Sequence, residues 1–424
     1  MTSKSAGRII HGNSLEKLKE ISDESVDAII SDPPYELGFM GKAWDHGVPS
    51  VEVWQETLRV LKPGAFLLAF GGTRTYHRLA CSIEDAGFEV RDCLMWLYGS
   101  GFPKSHNISK SFDRASGDLQ PENKWFTVAG YSHNKKLLTT APSRGYLPPQ
   151  PITDSARTWH GYGTALKPAW EPCIVAMKPL DGTFAQNALK HGVAGINVEA
   201  GRIETSDRYT ENRVTQGINT AQTSYDPRRE RRTFEPGSGR WPANLILDAE
   251  AGAMLDGQTG ELHDRGNYKP GEWKTQGEWQ GPSDPVPDGR SRGGSGGASR
   301  FFYCPKASRR ERDAGLDGFE VKTCDDWQQA MDPGAPRGVM PRANNHPCLK
   351  PLDLNRYLAS LILPPKRDTP RRILVPFSGS GSEMIGALLA GWDEVVGIEK
   401  EQEYCDIANA RLNHWCKHEQ SLFD

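Results

Sequence analysis

Val26-Asp27-Ala28-Ile29-Ile30-Ser31-Asp32-Pro33-Pro34-Tyr35 is the stretch that decides how this chain folds. Its first half is an apolar run with one polar interruption, Asp27, and reads as a buried strand. Its second half stops the strand. Two prolines fix φ and offer no N–H donors, so the chain leaves the sheet as a stiff loop. That loop carries groups suited to an amino group on a planar ring. The Asp32 carboxylate can accept one hydrogen of an exocyclic NH2, the Pro33 carbonyl can accept the other, and Tyr35 offers a flat face for stacking. Taken alone, the four residues 32–35 also read as a strand-ending turn, with Tyr35 a packing residue.

Working outward, strands and helices alternate. Residues 8–11 read as a strand and 14–21 as a helix with Ser14 as its N-cap. Residues 53–61 read as an amphipathic helix stopped by Pro63-Gly64, 65–70 as a buried strand, 76–86 as a helix closed by Gly87, and 88–97 as a strand. The rhythm fails over about 100–168, gives one more strand at 170–180, and returns at 350. There 352–363, 383–390 and 401–413 read as helices, and 372–375 and 394–398 as strands. This alternation predicts an α/β fold with a mostly parallel, doubly wound sheet. Residues 200–300 are rich in Gly, Arg, Asp, Pro and Ser, and loops that long are usually functional or disordered.

The bulk numbers narrow the partners. The 424 residues suit two or three domains at roughly 150 residues each. A net charge of −3 means that any nucleic-acid footprint is local. The eight cysteines include no C-x-x-C pair, which argues against zinc, and no metal is expected. Scattered thiols and the lack of a leader-like N-terminus predict a reducing cytoplasm. No apolar stretch is long enough to span a membrane.

A second site signal lies far downstream. The strand 372–375 runs into Phe377-Ser378-Gly379-Ser380-Gly381-Ser382, which opens a helix. Gly379 and Gly381 permit close backbone approach, and a helix N-terminus favours a carboxylate. The next strand ends in Glu399, placed either for ribose hydroxyls or as a solvated strand end. Asn13 either bonds a cofactor adenine or caps its own helix. Lys350 either meets a cofactor carboxylate or sits in a structural turn. With the loop at Asp32, these residues read as two halves of an aminomethyltransferase site. A ring amino nitrogen is a poor nucleophile because its lone pair is delocalised. Accepting both of its hydrogens turns that lone pair outward, toward a methyl donor.

The chain resembles the β-class, permuted amino-methylating DNA methyltransferases of phage and restriction-modification systems. The resemblance rests on His11-Gly12-Asn13-Ser14-Leu15, Asp32-Pro33-Pro34-Tyr35, Arg59-Val60-Leu61-Lys62-Pro63-Gly64, His346-Pro347 with Lys350-Pro351, Phe377-Ser378-Gly379-Ser380-Gly381, and Gly397-Ile398-Glu399. It implies a Rossmann-like, seven-stranded sheet and S-adenosylmethionine as donor. Asp32, Pro33, Pro34 and Tyr35 would be catalytic. Asn13, Lys350, Phe377, Ser378, Gly379, Gly381, Ser382 and Glu399 would bind the cofactor. Residues 1–180, with a loop insertion at about 100–168, form the catalytic half; 181–335 form the target-recognition region; 336–424 form the cofactor half. Arg228, Arg229, Arg231, Arg232 and Arg292 are candidate phosphate contacts, or a solvated loop. The expected partner is double-stranded DNA, a homodimer stays open, and an Asp-first tetrapeptide favours adenine N6. Cytosine N4 is the alternative, and a DNA-binding protein without catalysis is the reading from another class. Three positions depart from the family. Val375 replaces a usual acid, Ser382-Glu383 replaces a Thr pair, and Asn13 stands where Asp is usual. On this reading an acid at 375 would tighten cofactor binding, and Glu383 is the nearest substitute.

Overall fold

The computed structural model describes residues 7–36, 47–99, 105–117, 125–128, 143–146, 150–203, 239–263, 295–305, 311–321, 343–346 and 349–421. Two compact units emerge, one built from Met1–Gly99 and Trp170–Asp424, the other from Ser100–Ala169.

The larger unit is a doubly wound sheet. Its strands are β1 (Arg8–His11), β2 (Val26–Ser31), β3 (Leu61–Phe70), β4 (Glu89–Leu97), β5 (Trp170–Met177), β6 (Leu245–Leu247), β7 (Arg372–Val375) and β8 (Glu394–Glu399). They lie in the order β1-β8-β7-β2-β3-β5-β4-β6. All neighbours are parallel except β5, which runs against both β3 and β4. The two ends of the chain therefore interleave, and β2 pairs directly with β7 through Ala28–Ile373 and Ile29–Leu374.

Alternation along each strand splits the core in two. Ala28, Ile30, Phe66, Leu68, Ile373 and Val375 face one side, where they pack with Leu354 and Leu358 of the Leu352–Leu361 helix and with Met384 and Ile385 of the Ser382–Leu389 helix. Ile29, Leu67, Ala69 and Leu374 face the other side, against Leu18, Trp54, Leu79 and Ile83 of the N-terminal helices. The C-terminal helices thus cover one face and the N-terminal helices the other. Burial on both faces is what makes strands such as 26–31 read as near-continuous apolar runs.

The sheet has eight strands rather than the seven implied by family resemblance. The extra one, β6, comes from within 181–335 and pairs with Met95–Leu97. Three residues are too few to show a period. Two helices, Phe184–His191 and Ala249–Thr259, also lie in that stretch. The first carries a capping box, with Thr183 accepting from the Gln186 N–H and the Gln186 side chain accepting from the Thr183 N–H. The first helix of the chain is shorter than expected, Ser14–Leu18, and the last is longer, Gln402–Ser421.

The smaller unit is held by polar anchors. Asp113, buried on the Ile108–Ala115 helix, accepts from the backbone N–H groups of Ile152 and Thr153 and from the Thr153 hydroxyl. Ser109 donates to the Ala156 carbonyl at 2.8 Å. The unit leaves and rejoins the sheet next to a cross-strand pair, Leu97 with Trp170.

Asp27, the polar interruption in β2, has a structural purpose. It is almost wholly buried, pairs with Lys62 at 2.7 Å and Arg367 at 2.6 Å, and accepts the backbone N–H of Arg372 at 2.7 Å. Asp27→Ala strands two cations and one N–H at the β2–β7 seam. Loss of about 3–5 kcal/mol is expected in urea unfolding; a loss under about 1 kcal/mol would show that water replaces the carboxylate.

Candidate active site

The β2–β7 pairing brings the tetrapeptide and the Gly-rich turn out of the same edge of the sheet. Strand order reverses there, since β2 leads to β3 on one side and β7 leads to β8 on the other. Open α/β sheets bind ligands at such switch points. Ser14 ties the edge together by donating its hydroxyl to the Pro376 carbonyl at 2.5 Å.

Asp32 is oriented by two donors. The Tyr35 hydroxyl donates to Oδ1 at 2.5 Å, and the Lys350 ammonium donates to Oδ2 at 2.8 Å. Burial, and then the Asp32 charge, push the Tyr35 phenol well above its ordinary value, so it stays a donor. The Tyr35 carbonyl accepts from Thr75 at 2.6 Å, which fixes the ring at the end of the loop. Stacking alone needs no hydroxyl, but here the hydroxyl is engaged. Lys350 also departs from its expected place. Its ammonium faces Asp32 and Glu171, at 2.8 and 3.1 Å, and lies 4.8 Å from the centroid of the Phe70 ring. The lysine offered to a cofactor carboxylate thus sits against the Asp32 carboxylate.

The Gly-rich turn after β7 is braced by neighbouring side chains. Gly379 has φ +48° and donates its N–H to Glu399 at 2.8 Å; a Cβ there would stand 2.8 Å from His346 Nε2. Gly381 has φ +82°, and its Cβ would meet that of Ala408 at 3.0 Å. The other Glu399 oxygen accepts from the Glu401 N–H at 2.8 Å, and burial raises this carboxyl against the pull of those amides. Arg411, 1% exposed, donates to the Ser380 carbonyl at 2.5 Å and the Ser382 hydroxyl at 3.1 Å. Burial lowers it to about 10, while the nearby Glu383 carboxyl pulls it up. Asn13 uses its side-chain oxygen as the helix cap, accepting from the Leu15 N–H at 2.9 Å.

Val375 and Glu383 resolve one departure. Val375 is fully buried in the apolar core with Met384 and Ile385, so an acid placed there would be desolvated among hydrocarbon. The expectation that it would tighten cofactor binding loses its physical basis. Glu383, 5% exposed, accepts from the Asn355 amide at a long 3.4 Å. Burial and the Asp32 charge push it up to about 7, against the pull of Lys350.

Sequence reasoning missed Glu171 and Arg411. Arg411 was findable, because it shares a helical face with the buried Tyr404, Ile407 and Ala408. Glu171 was not, because a charged residue at a strand start reads as a solvated end. It reaches the site because β5 runs antiparallel, which puts its first residues at the edge where the parallel strands finish. Arg228, Arg229, Arg231, Arg232, Arg292 and Pro347 lie outside the described residues. Among the described residues no cluster of three metal-ligating side chains occurs, and no helix is long and apolar enough to cross a membrane.

A family model for DNA methylases matches residues 26–410. The chain belongs to the DNA methylase family. It is 25% identical over 235 residues to the type II methyltransferase M.HindIII of Haemophilus influenzae, covering 45% of this chain and 64% of that protein. It is 34% identical over 102 residues to the DNA adenine methyltransferase YhdJ of Escherichia coli, covering 22% of this chain and 34% of that one. The chain therefore spans under two thirds of the length of these relatives. Among solved structures, a PvuII cytosine-N4 DNA methyltransferase aligns over 97% of this chain and 94% of its own, at 10% identity and a TM-score of 0.39. S-adenosylmethionine is the methyl donor that goes with this family. The methylase's residues fit it. The buried Ser378 hydroxyl finds no hydrogen-bond partner among the described residues, the two glycines keep the turn free of side chains, and Glu399 holds the end of β8.

A carboxyl raised by folding contributes stability that is present below its unfolded value and is lost as pH rises through the folded one. For Glu383 that window runs from the ordinary glutamate range to about 7. The melting temperature of the ligand-free protein is expected to fall across it, and Glu383→Gln to flatten the fall. Parallel curves for the two proteins would show that Glu383 meets a compensating cation.

Proposed function

We propose that this methylase transfers a methyl group from S-adenosylmethionine to the exocyclic N6 amino group of adenine at a specific DNA site. The observation that carries the reading is the Asp32 carboxylate, held by Tyr35 and Lys350 beside the Gly-rich turn of the neighbouring strand. Asp32 and the Pro33 carbonyl accept the two amino hydrogens and turn the nitrogen lone pair outward. The donor supplies an electrophilic methyl group, and Ser378, Gly379, Gly381 and Glu399 orient it. Asp32 need not be a strong base, since the proton can leave after transfer.

A base inside a duplex cannot reach this pocket, so it is flipped out at a cost of a few kcal/mol. The Tyr35 ring offsets part of that cost by stacking. Residues 181–335, helped by 100–168, read the target sequence. The DNA is that of a bacterium or an infecting phage. The Asp-first tetrapeptide and the name of the YhdJ relative favour adenine.

Expression in a methylation-free host, followed by single-molecule sequencing, tests base and site together. N6-methyladenine at one recurrent sequence is expected; N4-methylcytosine would reassign the base, and unmodified DNA would reject the proposal. Asp32→Ala is expected to lower methyl transfer about a hundredfold or more while cofactor affinity holds within about twofold. Tritium transfer and calorimetric titration measure the two separately. Tyr35→Phe is expected to lose a charge-assisted hydrogen bond, about 1.5–3 kcal/mol. Tyr35→Ala adds lost stacking, about 1–3 kcal/mol per base. Full activity of Tyr35→Phe would leave the ring as the working part.

A further inference from the structure

Lys350 is 5% exposed, so its ammonium cannot turn to water and always needs a carboxylate. Two are in reach. Asp32 Oδ2 stands at 2.8 Å and Glu171 Oε2 at 3.1 Å, and the Glu171 oxygen is itself buried. The Glu171 contact is an ion pair without hydrogen-bond alignment, whereas the Asp32 contact is a hydrogen bond. The geometry therefore has one strong anchor and one in reserve. The strong anchor is an oxygen of the carboxylate that the target amino group needs. Tyr35 already takes Oδ1, and Lys350 takes Oδ2.

We propose that Lys350 is a positioning residue shared between Asp32 and Glu171, and that Glu171 takes more of the ammonium when the target amino group arrives. The inference rests on the methyltransferase reading. Three features of the fold support it. Glu171 reaches the site only through the reversed direction of β5, and it sits beyond the end of β3, where the Gly71 N–H donates to the Pro172 carbonyl at 2.9 Å. The Phe70 and Tyr35 rings lie 4.8 and 5.4 Å from the ammonium and hold it between the two carboxylates by cation–π attraction, and the Tyr35 hydroxyl accepts from it at 3.1 Å. A shift from one anchor to the other costs no exposure, because the two oxygens lie on the same buried nitrogen. Lys350 holds the Asp32 carboxylate in plane before the target enters, and Glu171 keeps the ammonium from competing with the target for Oδ2.

The test is a double-mutant cycle on the full chain, with an oligonucleotide carrying the site found by sequencing. Single-turnover methylation rate, KM for DNA, affinity for S-adenosylhomocysteine and melting temperature are measured for Glu171→Gln, Lys350→Met and the pair. Glu171→Gln is expected to slow transfer about tenfold and Lys350→Met about a hundredfold, with KM for DNA and cofactor affinity within twofold. Acting through Lys350, the Glu171→Gln loss is expected to vanish in the Lys350→Met background. Lys350→Arg, which keeps the charge, is expected to recover part of the rate. An active wild type with Glu171→Gln at full rate, or with a loss undiminished in the Lys350→Met background, overturns this inference alone. A wild type that methylates no DNA overturns the proposed function with it.

Discussion

The parallel pairing of β2 with β7 is the constraint on which everything else rests. It joins residues near the start of the chain to residues near its end, and Asp27 secures it by accepting the Arg372 N–H across the seam. Closing so long a loop is less costly than its length implies, because closure entropy grows only logarithmically, by about 0.6 kcal/mol per doubling. The return is a site that neither half could build alone. One half brings the carboxylate and the flat ring, and the other brings the backbone turn and the acid at the end of β8.

Among the described residues, the site holds more buried carboxylates than cations. Asp32, Glu171 and Glu383 share Lys350, and Arg411 stands behind the turn. Burial, and then the Asp32 charge, push Glu383 up to about 7, while Lys350 stays paired. A cationic donor would relieve that imbalance, since opposite charge favours the ionised carboxylates. Burial, and then the Asp32 charge, also keep the proton on Tyr35, which serves as a donor to Asp32.

The middle of the sheet was legible because β2, β3 and β7 are buried on both faces and therefore read as near-continuous apolar runs. The 372–375 strand lies where its pattern predicts, and so does the tetrapeptide after β2. Short-range signals were legible too, such as the glycines at 379 and 381. What pattern could not show was pairing across space. No local rule says that Lys350 faces Asp32, or that the Tyr35 hydroxyl is engaged, because both depend on which strands lie side by side. Glu171 stayed hidden behind the direction of one strand. β6 stayed hidden behind its length, and the Phe184–His191 helix was overlooked despite its capping box.

The Ser100–Ala169 unit enters and leaves the sheet beside a single cross-strand pair, Leu97 opposite Trp170. To β4 and β5 it is the tip of a hairpin, whatever its size. Neither the seam between β2 and β7 nor the carboxylates around Lys350 draw a strand from it. Because the β4–β5 register is set by the strands themselves, from Leu97–Trp170 to Glu89–Met177, the length of chain between them is free to change without shifting it.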